Sequence, residues 1–463
     1  MKCGDVFEAE IAGFTHEGVP IAKIYSDSDS TSKSPPTVVF TDDGVTGDRV
    51  RLRVTKVGRR FVYAKTAEIV AASPMRIECD CPAYARGCGG CDFRCADYDC
   101  EVQFKAGLIR HNFRRFESAE FLPFLRADTI AHYRNKAQYK FSKNAAGEII
   151  FGFYARGSHR VVTCDSGCRL QPPVFGEIAA AVSREAARLK LSVYDETARQ
   201  GVLRGLFLRQ GTGGGITAVL CVKRNVPELK KIAAVLAGEH GVASVIANVS
   251  PAGSNTVLGE KDFVLRGVSD GSVTEKLTWA GGEINLAAPY KSFLQVNTAQ
   301  CEKLYGAAYE LAGLKAGGVI ADLYCGIGSA GLYMAARAKG ARVVGVDIVQ
   351  ESIAAAEKNA AANGVTGSYK ACDAEDCAGF IGEKTGGEKI GTAVFDPARK
   401  GVYEKTLAEV SARVIIYISC NPATAARDCE ILETRGYRLK KIQGCDMFPR
   451  TRHVECVLML ERE

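Results

Sequence analysis

The stretch Asp322-Leu323-Tyr324-Cys325-Gly326-Ile327-Gly328-Ser329 decides the fold class of this chain. It overlaps the end of the apolar run Val319–Tyr324 and opens a helical pattern. Gly326 and Gly328 allow the backbone to approach a ligand closely at the N-terminus of that helix, where unpaired N–H groups are available. The stretch therefore predicts a strand, a tight ligand-binding turn and a helix.

Further apolar runs alternate with helical patterns through the last third of the chain. The predicted strands are Val343–Asp347, Ala393–Asp396 and Val414–Cys420, and Gln350–Asn363 is one of the intervening helices. This alternation predicts an α/β, Rossmann-like domain with an open parallel sheet and helices on both faces. Such sheets bind their ligands at the carboxyl ends of the strands.

The ligand of this sheet is expected to carry a ribose. Asp347 ends the second strand, at a position where an acid accepts hydrogen bonds from ribose hydroxyls. The glycines do not stand in the usual register of a pyrophosphate-binding turn. Asp322, which precedes the loop, favours S-adenosylmethionine, because this cofactor has no phosphate to bind.

Three reactive side chains stand at the ends of later strands. Asp396 follows an apolar strand, Cys420 precedes the turn Asn421-Pro422, and Glu455 opens the last strand. Each has an ordinary alternative: a helix cap, a small buried hydrophobe and an exposed carboxylate, respectively. Their shared position favours a nucleophile and a general base. A nearby helix terminus can supply the roughly 1.4 kcal/mol that lowers a thiol pKa by one unit.

Composition excludes several protein classes. The chain has 463 residues, of which 47% are hydrophobic and 24% charged, so a disordered or fibrous protein is excluded. Apolar runs of about 18 residues are absent, so no membrane span is predicted. The N-terminus lacks a secretory pattern, and we expect a cytoplasmic protein. The net charge of +7 suits a polyanionic partner without requiring one.

Residues 1–75 are predicted to form a small all-β module. Along Arg49-Val50-Arg51-Leu52-Arg53-Val54 the period of two directs Arg49, Arg51 and Arg53 to one face. This face is either a solvated surface or a phosphate track of an oligonucleotide-binding barrel. Farther along, residues 101–118 have a helical pattern with Lys105 among its polar positions, and residues 130–285 contain strands of an antiparallel or mixed sheet.

A dense cysteine cluster lies between the β module and this helix. Six of the 18 cysteines fall within 22 residues. They are Cys79, Cys81, Cys88, Cys91, Cys95 and Cys100. Disulfides are rare in the cytosol, so the cluster indicates a metal site, and its spacing alone suits zinc or an iron–sulfur centre.

Taken together, the chain resembles the uracil-C5 RNA methyltransferases, which make 5-methyluridine from S-adenosylmethionine. The resemblance covers most of the chain. It rests on an N-terminal module similar to a TRAM domain, Cys88-Gly89-Gly90-Cys91, His132-Tyr133-Arg134-Asn135-Lys136, Ser292-Phe293-Leu294-Gln295-Val296-Asn297, Asp322–Gly328, Asp396–Gly401, Ser419–Pro422 and Phe448–Glu455.

The resemblance implies roles for individual residues. Cys420 matches the nucleophile that adds to uracil C6, and Glu455 matches the base that removes the C5 proton. Asp396 contacts the cofactor and can also hold the uracil. The other implied cofactor-binding residues are Gln295, Tyr324, Gly326, Asp347 and Asp373. Asp347 stands where the family usually has Glu.

The resemblance also implies a metal centre and an RNA partner. The implied [4Fe–4S] ligands are Cys81, Cys88, Cys91 and a fourth cysteine, either Cys168 in Cys168-Arg169-Leu170-Gln171 or Cys164. The implied RNA-binding residues are Arg49, Arg51, Arg53, Tyr133 and Arg134. Because a base inside a duplex cannot be methylated at C5, the substrate uridine must be unstacked.

The predicted protein is a monomeric, cytoplasmic enzyme that methylates 23S ribosomal RNA. Its predicted domains are a TRAM-like barrel over 1–75, a central α+β domain with the iron–sulfur site over 76–285, and a methyltransferase domain over 286–463. Residues 100–128 are expected to pack with the last of these. The alternatives are a transfer RNA methyltransferase and a non-catalytic RNA-binding assembly factor. A base N-methyltransferase and an iron–sulfur redox protein fit the motifs less well.

Overall fold

The computed structural model describes residues 1–24, 36–250, 257–388 and 390–463. These residues form two compact units. The first unit contains Met1–His111 and the short segment Phe448–His453, and the second contains Asn112–Met447 and Val454–Glu463. None of the helices in these ranges combines the length and apolar character needed to cross a bilayer.

The first unit begins with a closed five-stranded barrel, in the order β1-β2-β3-β5-β4. Its strands are β1 (Val6–Phe14), β2 (Pro20–Ile24), β3 (Thr37–Phe40), β4 (Arg49–Val57) and β5 (Phe61–Ala71). The predicted alternation along β4 is confirmed, because Val50, Leu52 and Val54 belong to the barrel core and the intervening arginines face outward.

Two helices complete the first unit, α1 (Pro82–Ala85) and α2 (Tyr98–Asn112). The assignment of Lys105 to a polar helix position is wrong, since its side chain and that of Glu101 are fully buried and form an ion pair of 2.6 Å. Lys105 Nζ also donates to the Phe448 carbonyl at 3.1 Å. Glu101 Oε1 accepts the Arg450 N–H at 2.7 Å. The buried pair therefore anchors the segment Phe448–His453.

The second unit contains three sheets. In chain order, the first ten strands of this unit are β6 (Glu120–Phe121), β7 (Lys136–Lys143), β8 (Ile149–Tyr154), β9 (Val161–Thr163), β10 (Leu203–Gln210), β11 (Ile216–Val222), β12 (Ser244–Val249), β13 (Lys261–Arg266), β14 (Val273–Trp279) and β15 (Gly282–Ala288). Seven of them form a mixed sheet, in the order β13-β12-β11-β10-β7-β8-β9, as the central apolar runs predicted.

The remaining strands are β16 (Val319–Leu323), β17 (Arg342–Asp347), β18 (Gly367–Ala371), β19 (Ile390–Phe395), β20 (Ala412–Ser419), β21 (Tyr437–Cys445) and β22 (Glu455–Arg462). The other helices are α3 (Pro173–Arg188), α4 (Glu228–His240), α5 (Thr298–Ala312), α6 (Ser329–Arg337), α7 (Gln350–Ala362), α8 (Ala378–Thr385), α9 (Glu404–Glu409) and α10 (Pro422–Glu433). Helices α3 and α4 pack on the mixed sheet.

The last sheet has the order β18-β17-β16-β19-β20-β22-β21-β6. Its first five strands are parallel, as predicted, whereas β22 runs antiparallel to both β20 and β21. The sheet is therefore mixed rather than wholly parallel. The strand order reverses at β16, so the crevice beyond the carboxyl ends of β16 and β19 is the expected ligand site.

The hairpin of β14 and β15 joins the two large sheets. It packs against α5, α6 and α7. The Asn359 side chain donates to the Ala287 and Ile327 carbonyls, so it links the hairpin to the turn after β16. The predicted division at 285/286 falls within β15, and the three-domain boundaries stay a prediction.

Candidate active site

The turn after β16 is held in an unusual backbone conformation. Tyr324, Gly326 and Gly328 have φ values of 64°, 54° and 82°. Such values are costly for tyrosine and are typical of functional sites. Gly326 N–H donates to Asp347 Oδ2 and Val349 N–H to Asp347 Oδ1, each at 2.9 Å. Asp347 therefore fixes the turn, and its oxygens keep further lone pairs for a ligand.

Asp322 lies beneath this turn. It has no solvent exposure, and its Oδ2 accepts the Gly331 N–H at 3.0 Å. Burial raises its pKa to about 8. A Cβ at Gly331 would lie 2.5 Å from Oδ2, so only glycine lets α6 approach this carboxyl group. Asp322 is thus a buried support of the turn.

The other predicted cofactor-binding residues lie in neighbouring loops. Asp373 follows β18, and its Oδ1 accepts the Glu375 N–H at 3.1 Å. Burial, with a smaller contribution from Asp373, raises the pKa of Tyr324 to about 12. Gln295 is 4% exposed and lies two residues before Asn297, whose side chain caps α5.

The strand register brings Cys420 and Glu455 close together. Ser419 pairs with Cys456 at the last step of the antiparallel ladder of β20 and β22, and Cys420 and Glu455 are the adjacent residues of the two chain segments. They are close enough for the Glu455 carboxyl group to raise the pKa of the Cys420 thiol. The sequence placed the two residues on separate strand ends, and the fold brings them together.

The pKa of the Cys420 thiol is raised rather than lowered. Burial and the carboxyl group of Glu455 raise the pKa of this thiol to about 11, although Arg399 opposes the shift. Helix α10 begins at Pro422, yet its positive terminus does not outweigh the loss of solvation. The Cys420 thiol therefore needs a proton acceptor to become a nucleophile.

The two nearby carboxyl groups also favour their neutral forms. Burial and Asp396 raise the pKa of Glu455 well above its usual value, and Arg399 opposes this shift. Burial alone raises the pKa of Asp396 to about 7. A cation in the crevice would stabilise the ionised carboxylates and lower both pKa values. The site is therefore electrostatically suited to a positively charged ligand.

The loops after β19 and β20 are tied to each other. Asn421 Nδ2 donates to the Arg399 carbonyl at 3.2 Å. Asp428 Oδ2 accepts the Val402 N–H at 2.8 Å and the Tyr417 hydroxyl at 2.7 Å. Sequence reasoning missed Asp428, because its position within α10 carries no motif signal. Its buried carboxylate fixes the loop that contains Asp396.

The predicted RNA-binding residues lie in two different settings. On the barrel, Arg49 pairs with Glu8 at 3.1 Å, and Arg51 pairs with both Glu8 and Glu68. Arg53 is exposed on the same strand. These pairs neutralise part of the face and favour the solvated-surface alternative for Arg49 and Arg51.

Tyr133 and Arg134 lie just before β7. Arg134 N–H donates to the Leu170 carbonyl at 2.8 Å, and Asn135 N–H to the Val296 carbonyl at 2.9 Å. Asn135 Nδ2 donates to the Gln295 carbonyl at 3.0 Å. This segment is therefore attached to the loop that carries Gln295.

Three of the predicted metal ligands share one loop of the first unit. Cys81 precedes α1, and Cys88 N–H donates to the Ala83 carbonyl at 3.0 Å. Burial lowers the pKa of Arg94, but Cys91, Asp80 and Cys81 together raise it above its usual value.

This arrangement does not reproduce a metal centre. Within the described ranges, no group of three or more His, Cys, Asp or Glu side chains is arranged to hold a metal ion. Cys168 and Cys164 lie in the second unit, where burial and these two cysteines raise the pKa of Tyr139.

Comparisons with known proteins give a family match and similar relatives. The family model described as tRNA (Uracil-5-)-methyltransferase matches residues 260–374 and 385–463. An uncharacterized RNA methyltransferase of Halalkalibacterium halodurans is 33% identical and aligns over 99% of this chain and 97% of its own. One of Clostridium acetobutylicum is also 33% identical, over 100% of this chain and 98% of its own.

A solved structure has a similar fold along the whole chain. It is the tRNA (uracil-54, C5)-methyltransferase of Pyrococcus abyssi in complex with S-adenosyl-L-homocysteine. The TM-score is 0.74 at 22% sequence identity, and the alignment covers 98% of this chain and 100% of the other. The likeness supports the multidomain α/β fold with an N-terminal barrel.

Proposed function

Because this chain belongs to the RNA uracil-C5 methyltransferase family, we propose that it methylates C5 of a uridine in 23S ribosomal RNA. It is an S-adenosylmethionine-dependent enzyme. The proximity of Cys420, just after β20, to Glu455, at the start of β22, carries the proposal of a covalent mechanism. A nucleophile and a proton acceptor are the two groups that this reaction needs from the protein.

Cys420 activates the uracil. C5 of uracil is a weak nucleophile, and addition of the thiolate to C6 places negative charge on C5 and O4. The raised pKa of Cys420 means that its proton must leave as the S–C6 bond forms. Asp396, whose pKa is about 7, is a nearby proton acceptor at neutral pH.

The crevice residues hold the methyl donor. Those expected to bind it are Gln295, Tyr324, Gly326, Asp347, Asp373 and Asp396. S-adenosylmethionine supplies a methyl group on a positively charged sulfur. The desolvated carboxyl groups of Asp396 and Glu455 fit a cation, because their ionised forms lack compensation from solvent.

Glu455 completes the cycle. After methylation, C5 carries both a methyl group and a hydrogen. The Glu455 carboxylate takes this proton, the C5–H electron pair forms the C5–C6 double bond, and the S–C6 bond breaks to release the Cys420 thiolate. The burial of Glu455 makes its carboxylate a stronger base than it would be in water.

The RNA class and the metal centre are the finer parts of the proposal. The choice of ribosomal RNA is supported by the N-terminal barrel together with the cysteine cluster, a combination that the family resemblance associates with ribosomal substrates. The proposed [4Fe–4S] ligands are Cys81, Cys88, Cys91 and Cys168, with Cys164 as the alternative, and the cluster takes part in no catalytic step. Iron and acid-labile sulfide analysis of anaerobically purified protein tests it, and four iron atoms per chain are expected.

Transfer RNA is the second candidate substrate. The matching family model and the Pyrococcus abyssi protein both carry a transfer RNA activity in their descriptions. Incubation with methyl-labelled S-adenosylmethionine and separated ribosomal and transfer RNA fractions distinguishes the two. Label in 5-methyluridine from 23S RNA is expected. Label only in transfer RNA would reassign the substrate, and label in neither RNA would contradict the proposed activity.

A Glu455→Gln variant tests the covalent mechanism. With the base removed, the Cys420–RNA adduct should accumulate after methyl transfer, and it should appear as a shifted band in a denaturing gel. The double variant Glu455→Gln with Cys420→Ala is the matched control and should give no band. Normal turnover by Glu455→Gln would place the base elsewhere.

A further inference from the structure

A second cavity lies on the mixed sheet of the second unit. Its volume is about 620 Å³, and its lining includes Lys140, Tyr154, Tyr194 and Arg204. This volume lies within the range of small-molecule sites, about 300–1,000 Å³. None of these residues belongs to the methyl-transfer crevice.

Cations lie over aromatic rings at this cavity. Lys140 Nζ is 5.6 Å from the centroid of the Tyr154 ring, and Lys223 Nζ is 4.4 Å from that of Tyr194. The Arg204 guanidinium lies 6.0 Å from the same Tyr194 centroid. Positive charge next to aromatic faces is the combination that binds the phosphate and base of single-stranded nucleic acid.

Positive charge exceeds negative charge around the cavity. Arg204 pairs with Glu196 at 2.9 Å, and Asp195 Oδ1 accepts N–H groups of the following turn. Lys143 adds a further cation to the lining. Burial, followed by repulsion from Arg204, lowers the pKa values of Lys140 and Lys223. An anion would relieve this repulsion.

Two lysines of β7 lie between the Gln295 loop and the cavity. Lys136 and Lys140 are on one face of the strand, four residues or about 13 Å apart. Arg209, which pairs with Lys136 in the ladder, is buried and donates to the Pro289 and Ser292 carbonyls. Burial and Arg209 lower the pKa of Lys136 to about 8. The residue next to Lys136, Asn135, contacts the Gln295 loop.

We propose that the cavity lined by Lys140, Tyr154, Tyr194 and Arg204, with Lys223 beside Tyr194, binds one nucleotide of a single-stranded RNA segment that flanks the target uridine. The base stacks on a tyrosine, and the lysines contact the phosphate. The proposal rests on the proposed function, because the RNA strand runs along β7 from the crevice. It adds a contact for a second nucleotide.

Binding of a fluorescein-labelled ten-nucleotide oligouridylate to the full chain tests the proposal. Lys223→Ala with Lys140→Ala should weaken binding about tenfold to a hundredfold, and log Kd should depend less steeply on log salt, by about 0.7 per lost phosphate contact. Lys230→Ala is the matched control, since it removes one exposed cation from α4 of the same unit. It should leave binding unchanged.

A second variant tests stacking without changing the charge. Tyr154→Leu should weaken oligouridylate binding with little change in salt dependence, and the unfolding midpoint shows whether the fold persists. Wild-type affinity in both Tyr154→Leu and the lysine double variant would overturn the proposal. Binding of uridine monophosphate as tight as that of the oligonucleotide would also overturn it, because the site would then serve a free nucleotide.

Kinetics separate this inference from the proposed function. In the labelled methyl-transfer assay, the lysine double variant should raise KM for RNA and leave kcat unchanged. If the chain transfers no methyl group but binds oligouridylate in a Lys223-dependent way, the proposed function fails and the cavity proposal stands. Methyl transfer with a KM unaffected by the double substitution would overturn the cavity proposal alone.

Discussion

The outer face of the barrel and the strand-end crevice both carry ionisable residues, but those of the barrel are exposed and those of the crevice are buried. On the barrel, the side chains of Arg49 and Arg51 are 60% and 42% exposed and pair with acids at the surface. In the crevice, burial shifts the pKa values of Asp396, Cys420 and Glu455 upward. The sequence motifs of both regions had suggested ligand binding.

The difference shows which region responds more strongly to an added charge. Solvent and neighbouring acids screen the barrel arginines, so their ion pairs contribute little to the stability of the fold. The crevice groups have lost their water without gaining full compensation, which makes them sensitive to an incoming charge. Chemistry is therefore expected at the crevice, and at most orientation of RNA at the barrel.

The largest expected effect is on the crevice nucleophile. Cys420→Ala should lower methyl transfer by at least about a thousandfold, because it removes the proposed nucleophile that activates C5. Retention of RNA on a filter should persist. Cys3→Ala, which removes an exposed barrel thiol, should keep full activity. Substantial methyl transfer by Cys420→Ala would contradict the conclusion that the chemistry takes place at the crevice thiol.

The second-largest effect is expected on stability, from a substitution in the tightly packed region beneath the crevice. Gly331→Ala should destabilise the protein by about 1–3 kcal/mol, because its Cβ would overlap the buried Asp322 carboxyl group. Chemical denaturation measures this change. Gly382→Ala in α8 is the control, since nothing lies within 4 Å of the added Cβ, and it should be neutral or slightly stabilising. Equal unfolding free energies for Gly331→Ala and the wild type would contradict the close contact between α6 and the Asp322 carboxyl group.

The stability of the ligand-free protein should depend on pH through the crevice. The folded-state pKa of Asp322 is about 8, above its value in the unfolded chain, so the folded state binds the proton more tightly. Its stabilising contribution is complete below about pH 4 and is lost as pH rises to about 8, at about 1.4 kcal/mol per unit.

Asp322→Asn is the variant for this comparison. It removes the titrating group and keeps its shape, so the decline in unfolding free energy between pH 5 and pH 8 should be shallower than in the wild type. The same slope in both proteins would assign the pH dependence to other groups.

The smallest effects are expected on the barrel. Arg53→Ala should weaken binding of ribosomal RNA no more than a few fold, as for one lost phosphate contact. Arg51→Ala should change neither RNA affinity nor the unfolding midpoint, because Glu8 and Glu68 already neutralise this arginine. If Arg51→Ala reduced RNA affinity as much as Lys140→Ala with Lys223→Ala, this result would favour the phosphate-track hypothesis for the barrel face.

Local patterns predicted the elements that short-range physics determines. The alternation along Arg49–Val54 and the glycine turn after β16 appear as expected, since side-chain period and glycine freedom act within a few residues. The antiparallel direction of β22 was not predictable, because it depends on a partner 37 or more residues away in the ladder with β20. The same holds for the burial of Lys105, whose partners include the distant Phe448 carbonyl.

The sequence by itself determined the chemical groups of this protein: a thiol, two carboxyl groups and a glycine turn, each at the end of an apolar strand. Only the tertiary structure decided that Cys420 and Glu455 lie close together and that burial raises their pKa values. The physical reason is that residue identity fixes which protons can move, whereas the affinity for those protons depends on solvation and on charges brought near by folding.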